Sequence, residues 1–483
     1  MALIDLETLE DGAILEADLC IVGAGAAGIA IARHFIGSGV QVLLLEGGDW
    51  DSTSESQAIY EGTFGTRYQD DAYEEQYLSI GRLRYFGGTT NHWAGWCRPM
   101  TPMDLEARPW VAHSGWPISW DELEPWFEPA GEVLGVNPLQ EPETWEGSAR
   151  PLLELEPRRL TTRIFTFSDP IRMGEEYGEE LLDSDEVSVV VDASVTDLVS
   201  GQELGFRTLA GRSFTARVRF TVLACGGIEN ARLLLANGLG GDACGRFFMD
   251  HPHIRPTGDL VLAGGDLERF DLYAQRSFDP LCGCKASGLL ALPEAVIRKE
   301  QLLDAVLMLR DLGEVELGAT GRAARSVAES WDGPGLAGYG MVLAEMAPNP
   351  DSRITLLDET DALGLPRVRL DWKLQQRDAQ SILRTLERMS LALGAEGVGR
   401  LQIGMGEARP WAELRGGHHH IGTTRMSESP DDGVVDADGQ LWDLDGLYLA
   451  GSSVFPTSGA CNPTLTIVAL ALRLADHLEQ RLP

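Results

Sequence analysis

Residues 18–23, DLCIVG, form an apolar run that closes on glycine; GAGAAGIAIARHF follows, and then GVQVLLLEGG. A short apolar run bounded by turn residues reads as a buried strand, and the alanine- and isoleucine-rich stretch behind the glycines reads as a helix. Together they predict a strand–turn–helix–strand unit of about thirty residues. Residues 60–130 are rich in Gly, Trp, Pro and acids with weak periodicity, which predicts irregular chain with short helices such as one within SWDELEPWFEPAGEVLG. From 186 to 224, the runs EVSVVVDASVTDLV, FRTLAG and SFTARVRFTVLA predict a small antiparallel meander. CGGIENARLLLANGLG then predicts a turn opening a helix. YGMVLAEM and SRITLLD are strand-like, and Ile382, Leu386, Met389 and Leu393 recur at the spacing of an amphipathic helix. The last sixty residues read as loop, strand (GLYLAGSS), loop and a helix from about Pro463.

Composition narrows the class. The chain has 483 residues, 44% apolar and 23% charged, enough for a large core without a disulfide or metal staple. Its net charge of −35, from 74 acidic against 39 basic residues, opposes binding to nucleic acid or insertion at an anionic membrane. Seven scattered cysteines, of which only Cys282 and Cys284 are close, make a poor disulfide or metal framework and favour a reducing, cytoplasmic setting. The acidic N-terminus lacks a basic, then apolar, leader. No apolar run reaches the ~18–20 residues of a membrane span, and the longest, near 464–472, reads as a buried helix.

Three clusters carry chemistry. Gly23-x-Gly25-x-x-Gly28, with Glu46 eighteen residues on, sits in register with strand, helix and strand. The first glycine permits the tight turn, the second the approach of a pyrophosphate, and the third the packing of helix on strand. The helix N-terminus would hold phosphates, and an acid at Glu46 would accept ribose hydroxyls, which disfavours NADP but does not separate FAD from NAD. In Arg84-Tyr-Phe-Gly87-Gly88-Thr89-Thr90-Asn91-His92-Trp93, paired glycines let backbone approach a flat ligand, or simply form a turn beside a core tryptophan. Near the C-terminus, Asn462-Pro463-Thr464 places Pro463 at the first helical position and Asn462 at the N-cap. Between them lies HHHIGTTRM, residues 418–426. With His251-Pro-His253 it offers a four-imidazole metal reading, in which an extended segment puts His418 and His420 on one face; the plainer reading fills loop and core, and no metal is expected.

Together these segments resemble the glucose–methanol–choline (GMC) flavoprotein oxidoreductases over nearly the whole chain. GGIENARLLLANGLG is similar to that family's second signature, with Asn230-Ala231 where Ser-Pro is usual and Asn237 where Ser is usual. The GGxxxHW form and NPTLT ending resemble most the branch with pyranose oxidases and bacterial sugar dehydrogenases. The resemblance implies an α/β (α+β overall) fold: a discontinuous Rossmann-like FAD-binding domain (1–85, 186–256, 423–483) and a substrate domain on a mostly antiparallel sheet (86–185, 257–422). It implies FAD held by Gly23, Gly25, Ala26, Gly28, Glu46, Gly88, Thr89, Asn91, His92, Val195, Ala224, Gly451, Ser452, Pro463 and Thr464. His92 matches the position that can bond covalently to the flavin 8α-methyl, although Ala94 departs from the threonine of that pattern. The family's H-x-x-G-T register selects His419 as catalytic base, and Asn462, forty-three positions later, as its partner. The implied reaction is oxidation of a CH–OH group of a sugar, glycoside or related alcohol, with oxygen, a quinone or a carrier protein as electron acceptor. His419 is expected to serve without a large shift from its ordinary pKa. Natural-product tailoring, or a lyase or decarboxylase of the same family, is the alternative.

Overall fold

Every residue of Leu19–Val22 and Val42–Leu45 is buried, as strands covered on both faces require. They sit centrally in a five-stranded, wholly parallel sheet ordered Leu447–Leu449, Phe220–Leu223, Leu19–Val22, Val42–Leu45, Val187–Val190. Helix Ala26–His34 leaves the first of these through the glycine turn and packs on the C-terminal helix Thr464–Glu479. The computed structural model describes residues 3–66, 68, 72–137, 152–263, 268–274, 277–278, 285–315, 335–406, 411 and 413–482; Cys282 and Cys284 lie outside them.

The expected meander is smaller than its sequence span. Its outer runs, Val187–Val190 and Phe220–Leu223, join the parallel sheet, because they are nearly continuous apolar runs that need cover on both faces. The antiparallel part is Ser194–Ser200, Glu203–Arg207 and Ser213–Arg217, with Ile14–Glu16 added parallel to the last. Burial alternates along Glu203–Arg207 and Ser213–Arg217, the mark of a sheet with one wet face.

Beside this lies a nine-stranded sheet whose pairings are antiparallel, running from Gly399–Ile403 through Pro252–Ala263, Gly335–Ala344, Ala305–Val315, Lys285–Ala291 and Thr161–Phe167 to Trp96–Cys97, with Leu414–Gly416 paired to Pro252–Ala263 and Ser277–Phe278 to Lys285–Ala291. Helix Gln376–Ala395 covers its edge, burying Ile382, Leu386, Met389 and Leu393 as their spacing requires. Buried arginines tie loops to the sheet through ion pairs, Arg108 with Glu345 and Arg163 with Asp304. Fold class and long elements thus follow the sequence.

The nucleotide turn has no spare room. Gly23 has φ +104°, and a Cβ on Gly28 would stand 1.9 Å from the Gly23 carbonyl oxygen. Gly28→Val is therefore expected to purify with little or no flavin and with a lowered Tm. Flavin content equal to wild type, read from the visible spectrum of the purified protein, would contradict this packing role.

Candidate active site

The carboxyl ends of all five parallel strands open onto one cavity of about 590 Å³, reached at Gly23 and Gly25, Glu46, Ala193, Ala224, and Gly451 and Ser452, and Val195 of the strand Ser194–Ser200 also lines it. Ligands of open α/β sheets bind at this end of the strands. Gly25 precedes helix Ala26–His34 without a side-chain cap, and a Cβ there would meet nothing within 4 Å, so the first-turn N–H groups face open space. Glu46 is 7% exposed and accepts from the backbone N–H groups of Ala24 (2.9 Å) and Gly48 (2.8 Å), which fixes its carboxylate at the cavity edge. Gly88, Thr89 and His92 line the cavity from the turn Gly88–Asn91 and its end. Two expected contacts fall elsewhere. Gly28 packs helix on turn, and the Asn91 amide donates to the Phe86 carbonyl (2.9 Å), bracing the turn rather than lining the cavity.

The histidine run is folded by a mismatch of length. Gly416 pairs with Pro252, and Ile421 pairs with Met249. Five residue steps on one strand therefore face three on the other, and the surplus bulges. His418 takes φ +59°, so the segment is not extended and does not present His418 and His420 side by side as the metal reading requires. The bulge is held by Asp250, fully buried, which accepts the N–H groups of Gly417 (3.0 Å), His418 (3.1 Å) and His419 (2.9 Å) as well as the Tyr77 hydroxyl. Burial pushes the Asp250 carboxyl up from its ordinary value, against the pull of these donors. Among the described residues no group of three or more potential ligands could hold a metal ion.

Folded this way, His419 has an imidazole on one ring nitrogen and an amide on the other. Its Nδ1 lies 2.7 Å from His251 Nδ1, and its Nε2 lies 3.2 Å from Asn462 Nδ2. The protons can be assigned by elimination. His251 Nε2 faces only carbonyl oxygens, those of Gly459 (2.9 Å) and Ser458 (3.2 Å), so it carries the hydrogen. In a neutral ring His251 Nδ1 is then bare and accepts, which requires a hydrogen on His419 Nδ1. His419 Nε2 is left with its lone pair, and it receives the Asn462 N–H. This corrects the reading of His251 as loop or core filling: it sets the tautomer of His419.

Two further expectations change. His419 does not titrate near its ordinary value; burial first, then the neighbouring His251, His253, His418 and His420, hold it well below 6.5. Burial likewise lowers His253 to about 3 and His418 to about 4. Asn462 is not the helix N-cap. The cap residue is Pro463, with no side-chain cap bond, and the amide of Asn462 turns to His419 instead. Its Oδ1 is buried without a partner at the cavity, and Pro463 and Thr464 bring the uncapped helix end to the same wall.

Sequence reasoning missed part of the cavity. Arg82 bonds Glu229 (2.7 Å) and covers the Tyr60 ring at 4.1 Å, and Glu229 also meets Arg232 (3.1 Å). All four residues line the cavity; Glu229 and Arg232 share the helix Gly226–Ala236, but Tyr60 and Arg82 come from separate segments with no motif that links them to it. His253 lines it as well. The alternation of Asp250-His251-Pro252-His253 was the available signal, since it sends His251 and His253 to one face of a strand.

The glycine turn, the uncapped helix ends and the orphaned Asn462 oxygen fit a dinucleotide with a redox ring against Asn462. Comparisons agree. The FAD dependent oxidoreductase family model matches residues 18–281 and the GMC oxidoreductase model matches residues 348–471. The chain belongs to the FAD-dependent GMC oxidoreductases, enzymes acting on CH–OH donors. It is 27% identical to C-glycoside 3-oxidase of Arthrobacter globiformis over 82% of this chain and 74% of that protein. It is 23% identical to 2-methyl-1,2-propanediol dehydrogenase of Mycolicibacterium austroafricanum over 96% of each. Among solved structures, pyridoxine 4-oxidase from Mesorbium loti shares the fold, with TM-score 0.58 and 19% identity over 96% of this chain and 99% of that one.

Two measurements follow from the imidazole pair. His251→Leu removes the acceptor for His419 Nδ1–H; kcat should fall by about a hundredfold with KM and flavin content little changed. A kcat within twofold of wild type would contradict the assignment. Only the neutral imidazole accepts a proton, and its pKa is lowered, so the neutral form persists as the pH falls through 6.5. The profile of kcat/KM should stay flat there and drop only at lower pH; a midpoint at 6.5 or above would contradict it.

Proposed function

We propose that the protein oxidises a secondary or primary CH–OH group of a sugar or glycoside to a carbonyl, with His419 as general base and Asn462 as the group that orients the oxygen. The observation that carries this is the 3.2 Å separation of His419 Nε2, to which the tautomer argument assigns the lone pair, from Asn462 Nδ2 in the cavity. A hydroxyl entering between them donates its hydrogen to Nε2 and accepts the amide N–H on its oxygen. FAD, when bound, supplies the two-electron acceptor that receives the hydride from the carbon. As the proton arrives at Nε2, the positive ring remains hydrogen-bonded through Nδ1–H to neutral His251, so charge forms beside an acceptor already in place. The same two donors, Nε2–H and the amide, then hold the product carbonyl oxygen. FAD would be held by the residues around Gly23–Gly28, Glu46, Gly88–His92 and Gly451–Ser452, and the uncapped helix end at Pro463 and Thr464 would offer its N–H groups and dipole to negative charge on the ring.

The relative named for C-glycoside oxidation supports a sugar-type substrate over a simple alcohol. Electrons leave to oxygen or another acceptor. The reading divides the chain at the boundaries expected from the sequence, with the cofactor part in 1–85, 186–256 and 423–483. Among the described residues no helix is long and apolar enough to cross a membrane, and we place the enzyme in the cytoplasm, a setting supported by the free thiols of Cys20, Cys225, Cys244 and Cys461.

Anaerobic mixing with sugars, glycosides and polyols should bleach the flavin in the wild type. His419→Ala should keep its flavin and slow bleaching by more than about a thousandfold, and Asn462→Ala by about tenfold to a hundredfold. Near-wild-type bleaching by His419→Ala would remove the histidine from the role. A yellow protein that no alcohol bleaches would instead favour a lyase or decarboxylase.

A further inference from the structure

Part of the cavity wall takes no part in the proton and hydride steps. Strands Pro252–Ala263, Gly335–Ala344 and Ala305–Val315 lie side by side, with His253 opposite Leu343, Met341 opposite Met308, and Tyr339 opposite Arg310. Paired residues share a face, and alternation keeps Leu343, Met341 and Tyr339 on that face together. His253 marks its reacting end, with its ring 6.0 Å from that of His419. At the other end stand Arg255 and Arg310, both lining the cavity.

Arg255 is exposed and Arg310 half-buried, and the two differ from four buried arginines of the chain, while among the described residues buried Arg84 and Arg425 bond carbonyls and hydroxyls without a carboxylate. Arg82, Arg108, Arg163 and Arg232 are buried and each meets a carboxylate, Glu229, Glu345, Asp304 and Asp361 respectively. Among the described residues neither Arg255 nor Arg310 does. Arg255 Nε donates to the Tyr339 hydroxyl at 2.7 Å, which aims the group, and Arg310 Nε is buried with no hydrogen-bond partner. With 74 acids available to 39 bases, carboxylates are not scarce in this chain. A cation on a cavity wall with unused donors is stabilised when a ligand brings the anion, and a guanidinium fork fits a carboxylate or phosphate through two parallel bonds.

We propose that Arg255 and Arg310 form an anion subsite of the substrate cavity, and that the substrate is a sugar or glycoside carrying an anionic group remote from the oxidised CH–OH. The inference rests on the alcohol-oxidising reading above. Arg255 lies two residues beyond His253, in the irregular stretch between Ile254 and Gly258 that spans the levels of Val342 to Gly340, and the level of Arg310 lies four residues beyond Leu343. At about 3.3 Å per residue the subsite begins about 7 Å, and ends about 13 Å, along the strands from the reacting end. That is about a sugar ring's length or more, as in a uronic acid glycoside or a glycoside of an acidic aglycone. The apolar sulfur side chains of Met308 and Met341 lie between and suit the ring faces that must cross this distance.

The test compares phenyl β-glucuronide with phenyl β-glucoside, and glucose 6-phosphate with glucose, as donors to a dye. The readout is the ratio of kcat/KM, anionic over neutral, in wild type, Arg255→Gln, Arg310→Gln and the double variant. Wild type should favour the anionic member of at least one pair by about tenfold, and the double variant should lose that ratio; which pair responds tells carboxylate from phosphate. Arg310→Lys keeps a charge but no fork, and should retain only part of it. As a check independent of turnover, calorimetric titration of the flavin-loaded enzyme with glucuronate should show binding that weakens with salt and disappears in the double variant. No anionic preference in wild type, or a preference that survives the double substitution, overturns the subsite. If neutral alcohols bleach the flavin while no anionic donor does better, the subsite fails and the alcohol-oxidising reading stands; if no alcohol bleaches it, both fail.

Discussion

A single hydrogen between two imidazole nitrogens 2.7 Å apart decides what this active site can do. The carbonyls of Ser458 and Gly459 claim the hydrogen on His251 Nε2. His251 Nδ1 can then only accept, His419 Nδ1 can only donate, and the lone pair of His419 is delivered to the cavity. Each step uses only donor and acceptor inventories, and none leaves a choice once both rings are neutral. Burial ensures that they are, because it lowers the pKa of both rings. A base of low pKa is a weaker proton acceptor than free histidine. In exchange it is never lost to protonation at neutral pH, and its geometry is fixed before substrate arrives.

The rest of the fold serves that pair. Asp250 gathers three successive N–H groups of the bulge, so the ring of His419 hangs from a buried carboxylate rather than from a free loop. The residues that follow Asp250 supply the partner of His419, His251, and the start of the cavity-lining strand Pro252–Ala263. Gly416 and Gly417 are held to small size by contact: a Cβ would stand 2.3 Å from Asp250 Oδ2 at the first and 2.8 Å from His419 Nδ1 at the second. Across the cavity the five parallel strands end in residues that leave room for a nucleotide. The nine-stranded sheet gives the substrate its opposite wall. The site is therefore a seam between two sheets built from interleaved stretches of chain.

Much of this was legible beforehand, for physical reasons. The parallel strands are continuous apolar runs, and the glycine turn, helix and acid follow one another without interruption, so local pattern sufficed. The H-x-x-G-T register that singled out His419 came from the family resemblance rather than from local physics, and the structure places His92, His419 and Asn462 on the cavity. What escaped depends on distance. That Val187–Val190 and Phe220–Leu223 leave the meander is decided by which neighbours cover them, not by their own alternation. The capping role assigned to Asn462 was overridden by a partner forty-three residues away. The pKa of His419 could not be read from its type, because enclosure and four neighbouring imidazoles set it. His251 carried a weak signal in its alternation with His253, yet its meaning appears only when the two carbonyls at 458 and 459 are seen behind it.

The central claim is that the hydrogen between the imidazoles resides on His419, leaving its Nε2 free. Nitrogen-15 spectra of the flavin-loaded enzyme, with histidine labelled in the ring and the signals assigned by single substitutions, measure it directly. The account predicts a protonated, pyrrole-type Nδ1 and a bare, pyridine-type Nε2 for His419 at neutral pH, with the reverse arrangement in His251. A His419 ring protonated at Nε2, or at both nitrogens, would contradict it.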